Sequence, residues 1–273
     1  MLSINVLITY HPKFGKDVFF KYFIVMLNTP THNTHAEFRS AMRHRLGLTH
    51  TPANAGAVQC WCGRHLEPGD ASHAMTCKSL SGAMTLRHDI LKGIWRRIAC
   101  RAGVATSLEP VLRPLQGSQS AAIANRPESR GDILLALQDA LTVVDVSVVH
   151  PAASTYVNAA ARAEGSAAAV RDHAKRAQYE NSDPLGYAFV PLSTETFGRL
   201  GKPAMALLNK LAECASASGV VFKDGFVVNA LRELSVGLCR GNCVLYKRSL
   251  FALARVSGTA FRAGADIPTS EII

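Results

Sequence analysis

The sequence predicts an α/β protein in which helices flank a mixed central sheet and a small zinc-binding unit precedes the sheet. Two short apolar segments rich in Val, Leu and Ile, residues 133–135 and 141–149, have the composition of buried strands. Helical periodicity precedes and follows them, and this alternation is typical of an α/β sandwich. Three cysteines crowded between Cys60 and Cys77 indicate a metal site.

The composition indicates a globular protein with a polyanionic partner. The 273 residues are 48% hydrophobic and 18% charged, enough to bury a sizeable core in one or two domains. Thirty Lys and Arg against twenty Asp and Glu leave a net charge of +10. That charge favours nucleic acid or an anionic membrane surface as the partner.

Three observations predict a soluble intracellular protein, neither secreted nor transmembrane. The apolar run at residues 18–27 is interrupted by Lys21 and is too short to span a bilayer. The sequence has no signal-peptide pattern near its start. Its seven cysteines are unevenly placed, unlike a secreted disulfide framework.

The chain before the cysteines predicts one helix. Residues 1–35 lack periodicity and form a poorly defined N-terminal segment. Residues 36–46 predict a short basic amphipathic helix that stops at Gly47. Its arginines either contact phosphate or form a solvated basic face.

The spacing Cys-x-Cys followed by His-x-x-x-Cys predicts a zinc knuckle. Three thiolates and one imidazole have the number and softness that tetrahedral Zn²⁺ prefers. Gly63 and Gly69 allow the tight turns that such a unit needs. His65 competes with His73 as the fourth ligand, and buried free cysteines beside an incidental histidine are the structural alternative. The candidate ligands are Cys60, Cys62, His73 and Cys77.

Residues 83–102 predict a helix with one buried stripe. Leu86, Ile90, Ile94 and Ile98 recur at helical spacing. The other faces of this helix are basic, and their candidate phosphate contacts are Arg87, His88, Arg96 and Arg97. A short strand at residues 106–109 follows, with Glu109 near its end, and then a surface loop at residues 113–129.

Asp132 and Asp145 are the candidate catalytic carboxylates. Aspartate is disfavoured in a strand and is costly to bury unpaired. Two carboxylates on neighbouring strands, with a cation nearby, suit a hard divalent ion such as Mg²⁺, which activates water and neutralises charge on a phosphodiester. The structural alternative is a turn cap or an ion pair with Arg130.

Residues 156–179 predict a helix that is interrupted at Gly165. Arg171, Lys175 and Tyr179 are spaced four apart and therefore share one helical face. If this face points at the carboxylate strands, Lys175 positions water or stabilises a pentavalent phosphate. The alternative is a solvated lysine on a surface helix.

The remaining elements are a strand at residues 187–193, a helix at residues 203–217 and a basic helical region at residues 225–262. The order from residue 83 onward is thus helix, strands, helix, strand, helix. We divide the chain into an N-terminal segment, a basic helix with the knuckle, an α/β domain and a basic helical extension. Their ranges are 1–35, 36–82, 83–218 and 219–273.

The order of short motifs resembles a known group of proteins. Cys-x-Cys, His-x-x-x-Cys, Arg-His, Glu-Pro, Arg-x-Asp and Asp-Val-x-Val-Val-His-Pro occur in that order, followed by Lys-x-x-x-Tyr, Phe-Val-Pro-x-x-x-Glu-Thr-x-Gly and Arg-Gly-Asn. This series resembles the C-terminal region of non-LTR retrotransposon polyproteins that carry a restriction-enzyme-like endonuclease. The resemblance covers residues 38–255. It implies a PD-(D/E)XK endonuclease-like core preceded by a CCHC zinc knuckle.

The resemblance assigns roles to individual residues. It makes Asp132 and Asp145 the Mg²⁺ ligands, with Glu109 as a third candidate, and Lys175 the catalytic lysine on the following helix. Ser147 stands where related nucleases carry their usual strand lysine.

The chain departs from the family pattern at three points. Gly131 replaces the proline that the family places before its first aspartate. Gln178 stands where a second basic residue is expected. No Tyr/Phe-x-Asp-Asp box of reverse transcriptases is present, so the resemblance is to an element tail without its polymerase.

The function that the resemblance implies is a Mg²⁺-dependent endonuclease that nicks DNA in the nucleus, with the element's RNA as a second candidate partner. The alternatives are a catalytically inactive, zinc-containing nucleic-acid-binding protein derived from the same element, and a fragment without function. The residues expected to contact nucleic acid are Arg87, His88, Arg96, Arg97, Arg130, Arg171 and Tyr179.

Overall fold

The computed structural model describes residues 35–45, 48, 58–60, 62–66, 72–112, 129–180, 187–217, 219 and 222–256. The predictions for residues 1–34, Gly47, Gly69 and residues 113–128 fall outside this part of the chain. None of the helices in the described ranges is long and apolar enough to cross a membrane.

The described elements follow the predicted order closely. They are α1 (His35–Arg45), β1 (Val58–Gln59), β2 (His65–Leu66), α2 (His73–Thr76), α3 (Ser81–Arg101), β3 (Ala105–Leu108), β4 (Val111–Leu112), β5 (Ser129–Arg130), β6 (Ile133–Ala136), β7 (Leu141–Val149), α4 (Val157–Ala160), α5 (Ser166–Glu180), β8 (Ala188–Glu195), α6 (Lys202–Ala217) and α7 (Lys223–Val256). The predicted interruption at Gly165 is confirmed: α4 and α5 are separate helices, and Gly165 has a φ of +71°, which favours glycine.

The predicted mixed sheet is confirmed. Four strands lie in the order β3-β6-β7-β8, with antiparallel pairing of β3 to β6 and of β6 to β7. β7 and β8 are parallel, and α5 lies in the crossover that joins them, as a parallel pair requires. The strand register leaves part of one edge of β7 without a neighbouring strand. β6 begins at Ile133 opposite Val144, whereas β7 runs on to Val149 with β8 alone beside it.

Helices cover both faces of this sheet. On one face, Val144, Val146 and Leu192 pack in a core with Trp95 and Ile98 of α3. α6 and α7 contribute to the same core through Leu208, Leu211, Leu234 and Leu238. On the other face, Tyr179 of α5 packs on Val143. The sheet is therefore the middle layer of an α/β sandwich.

The buried face of α3 differs from the predicted stripe. Ile94 and Ile98 are buried as expected, but Leu86 and Ile90 are only partly buried. The face that is buried runs through Ala83, Arg87, Leu91, Ile94, Trp95, Ile98 and Ala99. The reason is α7, which packs closely along this face and cannot be located from the periodicity of α3 alone.

Two glycines make the close contact between α3 and α7. A Cβ atom added at Gly237 would overlap Ile94, and one added at Gly241 would overlap the side chain of Arg87 and lie 3.1 Å from its Cα atom. The two backbones can therefore approach only because these positions lack side chains. α7 also packs at Leu245 and Tyr246 on Cys60 and Cys77, so the predicted C-terminal extension shares a core with both preceding segments.

We expect Gly241→Ala to lower the free energy of unfolding by about 1–3 kcal/mol, because overpacking forces two buried helices apart. Gly93→Ala is the matched control, since a Cβ there meets only the tip of Arg97 at 3.7 Å and alanine is the better helix former by about 1 kcal/mol. Urea unfolding of both variants measures the difference. Equal effects of the two substitutions would contradict the close packing.

Candidate metal centre and acidic cavity

The predicted knuckle residues form a cluster that can hold a metal ion. The ligand atoms of Cys60, Cys62, His73 and Cys77 all lie within 4.8 Å of one another. The Cys60 and Cys77 sulfurs are 3.6 Å apart, and the Cys62 sulfur lies 3.4 Å from His73 Nε2. Two sulfurs bound tetrahedrally to one zinc are roughly 3.8 Å apart, whereas a disulfide bond is about 2.0 Å. The spacing is therefore compatible with four ligands of one metal ion and is too long for a disulfide bond.

Local backbone geometry builds the cluster. The Cys60 N–H donates to the Arg64 carbonyl at 2.9 Å, and the Gly63 N–H donates to the Cys60 carbonyl at 2.9 Å. Gly63 has a φ of +83°, so glycine is required at this turn. His65 lies on β2, exposed and paired with Gln59. The structure thus selects His73 as the fourth ligand.

The environments of the Cys60 and Cys62 thiols shift their pKa values in opposite directions. The hydrogen bond from the Arg64 backbone lowers the pKa of the Cys62 thiol. Burial raises the pKa of the Cys60 thiol to about 11. A buried thiolate at Cys60 therefore needs a positive charge beside it, and binding of Zn²⁺ with loss of the thiol protons supplies one.

A cavity of about 330 Å³ lies where β6 begins and β7 continues past it. Both candidate carboxylates line it: Asp132, which directly precedes β6 and was expected within a strand, and Asp145 on β7. Side chains from both helical layers close its walls. The charged and titratable groups that line it are Arg87, His88, Asp132, Asp145, Arg171 and Lys175.

Asp132 occupies the gap beside β7. Its Oδ2 atom accepts a hydrogen bond from the Val146 N–H at 2.6 Å, which supplies the acceptor that β6 does not reach. The same oxygen lies 3.0 Å from His88 Nε2, and this contact raises the pKa of His88. His88 was expected to contact nucleic acid. It borders the cavity, where its ring contacts Asp132 and Asp89.

Asp145 lies on β7 beneath α5. Lys175 Nζ is 2.9 Å from Asp145 Oδ1 and 3.1 Å from Oδ2. The Tyr179 hydroxyl donates to Asp145 Oδ2 at 2.7 Å and also lies 2.9 Å from the Arg130 carbonyl oxygen. The predicted shared face of α5 is therefore the face that approaches the carboxylate strand.

The prediction that Tyr179 contacts nucleic acid is wrong, because its side chain is only 4% exposed. It stacks on Phe189 with ring centroids 4.1 Å apart. Burial and the Asp145 carboxylate both raise the pKa of its hydroxyl, so Tyr179 stays protonated and acts as a hydrogen-bond donor to Asp145.

Arg87 is also wrongly predicted as a phosphate contact. It is 4% exposed, and its Nη1 atom donates to Asn242 Oδ1 at 2.9 Å. Burial lowers its pKa to about 10. α7 covers this face of α3, so the guanidinium points into the protein.

Arg87 belongs to a buried polar network that the sequence motifs did not reveal. Asn242 Nδ2 donates to the Thr196 carbonyl at 2.9 Å, and the Thr196 hydroxyl lies 2.7 Å from His150 Nδ1. His44 of α1 joins through the same carbonyl at 3.2 Å. The Arg-His, His-Pro, Glu-Thr-x-Gly and Arg-Gly-Asn motifs thus meet in one place. In the sequence, the order of these motifs was the only indication that they belong together.

We expect Arg87→Ala to lower the free energy of unfolding by about 2–4 kcal/mol, because it creates a cavity and leaves the Asn242 acceptor unsatisfied. Arg97→Ala on the exposed face of α3 is the matched control and should keep the wild-type stability. Urea unfolding measures both variants, and wild-type stability of Arg87→Ala would contradict the buried network.

The other predicted site residues are dispersed. Glu109 has a φ of 49° and an exposed carboxylate 3.1 Å from Lys92 Nζ. Its backbone is next to Asp132, but its side chain does not line the cavity. Arg130 and Arg96 are exposed, and Arg171 lines the cavity. A third carboxylate ligand at Glu109 is therefore not formed.

Gly131 stands where the family pattern has proline, and its surroundings explain the difference. A Cβ atom there would overlap the buried Val143 side chain. The Gly131 N–H also donates to the Pro110 carbonyl at 3.1 Å, which proline cannot do. Glycine at position 131 therefore fits the packing of this chain, and Asp132 lies beside β7.

Two carboxylates, Asp132 and Asp145, line the cavity. Mg²⁺ is usually bound by one or two carboxylates, with water and phosphate completing its shell. Asp145 Oδ1 is buried and accepts no hydrogen bond from the described residues, although Lys175 Nζ is close. In the described part of the chain, the Cys/His cluster is the group that brings three or more metal-ligating residues together.

Two comparisons with known proteins found no match. No protein-family model matches the sequence, and no curated protein matches it. The structure establishes a mixed α/β sandwich with a Cys/His cluster ahead of its sheet. Any function must therefore be argued from the residues of the cavity and the cluster.

Proposed function

We propose that the protein is a metal-dependent endonuclease that nicks DNA by hydrolysing a phosphodiester. The observation that supports this proposal is the meeting at one cavity of Asp132, which precedes β6, Asp145 on β7 and Lys175 on α5. Carboxylates that hold a divalent cation can activate water for attack on a phosphodiester, and a nearby cationic side chain can stabilise the developing charge. The proposal includes the PD-(D/E)XK fold and the retrotransposon origin that the motif order implies.

The residues of the cavity would have different roles in this reaction. Asp132 and Asp145 would hold Mg²⁺, which activates water and neutralises charge on the scissile phosphate. Tyr179 and Lys175 fix the orientation of the Asp145 carboxylate through contacts of 2.7 and 2.9 Å. Lys175 and Arg171 place positive charge on the wall that faces an entering phosphate, where low dielectric strengthens their effect.

DNA would be held mainly through its phosphates. The net charge of +10 supplies a sequence-independent attraction that weakens with salt. Arg96, Arg97 and Arg130 are the exposed arginines among the predicted contacts. Such contacts position the duplex and do not specify its sequence. The product would be a nick with a 3′ hydroxyl, which a complete element uses as a primer.

Incubation of the purified protein with supercoiled plasmid tests the proposal. With Mg²⁺ we expect conversion to the open-circular form, and with EDTA in excess we expect none. Both reactions use zinc-loaded protein. Because EDTA also removes zinc, a third reaction contains the zinc-loaded protein with neither Mg²⁺ nor EDTA. Equal conversion with and without Mg²⁺, or no conversion at all, would refute the proposal.

A second candidate is a zinc-containing nucleic-acid-binding protein without catalysis. The observation that favours it is that both carboxylates already have protein partners, namely the Val146 N–H and His88 for Asp132, and Lys175 and Tyr179 for Asp145. Salt-sensitive DNA binding without cleavage would support this candidate. Neither binding nor cleavage would favour a fragment without function.

A further inference from the structure

Cys62 differs from the other three members of the Cys/His cluster in its exposure. Cys60, His73 and Cys77 are buried, whereas Cys62 is exposed to solvent on the turn between β1 and β2. Its sulfur nevertheless lies within 4.8 Å of each of the other ligand atoms. Cysteines that react with oxidants reversibly combine a sulfur that solvent can reach with a second thiol close enough to bond to it. The cluster has both properties.

Cys77 is the thiol that is best placed to bond to Cys62. Cys60 lies in the same turn as Cys62, and two backbone hydrogen bonds hold this turn, from the Cys60 N–H to the Arg64 carbonyl and from the Gly63 N–H to the Cys60 carbonyl. A bond between Cys60 and Cys62 would close a short ring across one residue and distort the turn. Cys77 lies at the end of α2, on a separate segment, so a bond to it leaves the turn intact.

We propose that Cys62 is a modification site for peroxides, and that its oxidised sulfur forms a disulfide bond with Cys77 and releases the zinc. This inference goes beyond the proposed nuclease function and does not depend on it. Cys60 and Cys77 are each only 4% exposed, so a peroxide in solution reaches the Cys62 sulfur first. Reactivity towards oxidants follows exposure as well as thiolate character.

The oxidation balances with one molecule of hydrogen peroxide. The Cys62 thiolate attacks one peroxide oxygen, the O–O bond breaks, and the sulfenic acid and hydroxide form. The Cys77 thiolate then attacks the Cys62 sulfur, the S–O bond breaks, and a second hydroxide leaves. Both hydroxides take protons from solvent and become water. The two sulfurs lose two electrons in total, and the peroxide gains them.

The disulfide bond removes two of the four zinc ligands. Its sulfurs are about 2.0 Å apart, whereas two sulfurs bound to one zinc are roughly 3.8 Å apart. Cys60 and His73 remain, and two ligands are too few for a structural zinc site, which is almost always four-coordinate. The zinc leaves as Zn²⁺, without a change in its oxidation state.

Release of the zinc should loosen the contact of the cluster with α7. Cys60 and Cys77 share a core with Leu245 and Tyr246 of α7. The Tyr246 hydroxyl also lies 2.6 Å from Nδ1 of His44 on α1, so the cluster and α1 contact the same part of α7. Because the binding free energy of a structural zinc contributes to folding, oxidation should lower the melting temperature.

Treatment of the zinc-loaded protein with hydrogen peroxide tests the proposal. A chromogenic chelator measures the released zinc, and peptide mapping by mass spectrometry identifies the oxidised cysteines. We expect peroxide to release the zinc, and the map to contain a disulfide bond between Cys62 and Cys77. Dithiothreitol and added zinc should restore both the bound metal and the melting temperature.

Cys62→His separates oxidation from loss of a ligand, because it removes the exposed sulfur and keeps a fourth ligand. Two cysteines and two histidines form a tetrahedral zinc site, so this variant should bind zinc. In peroxide its zinc should leave more slowly by about tenfold or more, since its remaining thiolates are buried. Cys100→Ser is the matched control: Cys100 is an exposed cysteine outside the cluster, and this variant should release zinc at the wild-type rate.

Three results would overturn the proposal. They are zinc that stays bound in peroxide, equal release from the wild type and Cys62→His, and a disulfide between Cys60 and Cys77, whose sulfurs are 3.6 Å apart, with Cys62 still reduced. If Cys62→His binds no zinc, the peptide map of the wild type decides. A disulfide between Cys62 and Cys77 that accompanies zinc release would support the proposal whether or not the protein nicks DNA.

Discussion

Asp145→Asn should reduce the nicking rate by about 10²–10³-fold or more, the range for loss of one preorganised charge-stabilising group. Asparagine preserves the shape of the side chain but removes the negative charge that a divalent cation requires. It also removes the anion that holds Lys175 Nζ at 2.9 Å and accepts from Tyr179 at 2.7 Å. The measurement is the initial rate of conversion of supercoiled plasmid under single-turnover conditions.

Asp139→Asn is the matched control for this substitution. Asp139 is an exposed aspartate that pairs with Lys210 at 2.6 Å, away from the cavity. Its replacement changes the net charge by the same amount, so the effect on overall attraction of DNA should be equal in the two variants. Asp139→Asn should nick at the wild-type rate. Equal rates for Asp145→Asn and Asp139→Asn would show that Asp145 is not catalytic.

Loss of zinc should unfold the unit around the Cys/His cluster. We expect one equivalent of zinc in the wild type and none in Cys62→Ser. The stabilisation lost should be about 4 kcal/mol when free zinc exceeds the dissociation constant 1,000-fold. Cys62 is exposed, so its replacement removes a ligand without creating a cavity. Metal analysis and thermal unfolding provide the two measurements.

Cys100→Ser controls for the chemistry of the substitution. Cys100 is exposed as well and lies 3.5 Å from the Thr106 hydroxyl, outside the cluster. This variant should keep its zinc and its melting temperature. A chelator should lower the melting temperatures of the wild type and Cys100→Ser to that of Cys62→Ser. It should leave the melting temperature of Cys62→Ser unchanged. Full stability of Cys62→Ser would mean that the cluster does not hold a structural metal.

The sequence predicted well where the signal is local. The strand that carries Asp145 could be recognised because β-branched residues run together, and the four-residue spacing of Arg171, Lys175 and Tyr179 placed them on one face of α5. The three cysteines of the knuckle could be chosen by ligand chemistry and spacing. These properties depend on neighbours in the chain, so no knowledge of the fold was needed.

The predictions from the sequence were wrong where the exposure of a side chain depends on segments far away in the chain. Arg87 and Tyr179 are polar residues on helices, and both were expected at the surface. α7, which begins at Lys223, covers Arg87, and the strand with Asp145 covers Tyr179.

The sequence by itself determined the order of helices and strands, the metal-binding chemistry of the Cys/His cluster and the two candidate carboxylates. Only the tertiary structure decided that His73 and not His65 joins the cluster, that Glu109 lies outside the cavity, and that Arg87 and Tyr179 are buried. The physical reason is that periodicity and ligand type are encoded within a few residues. Burial and side-chain distance arise from the packing of segments that are far apart in the chain.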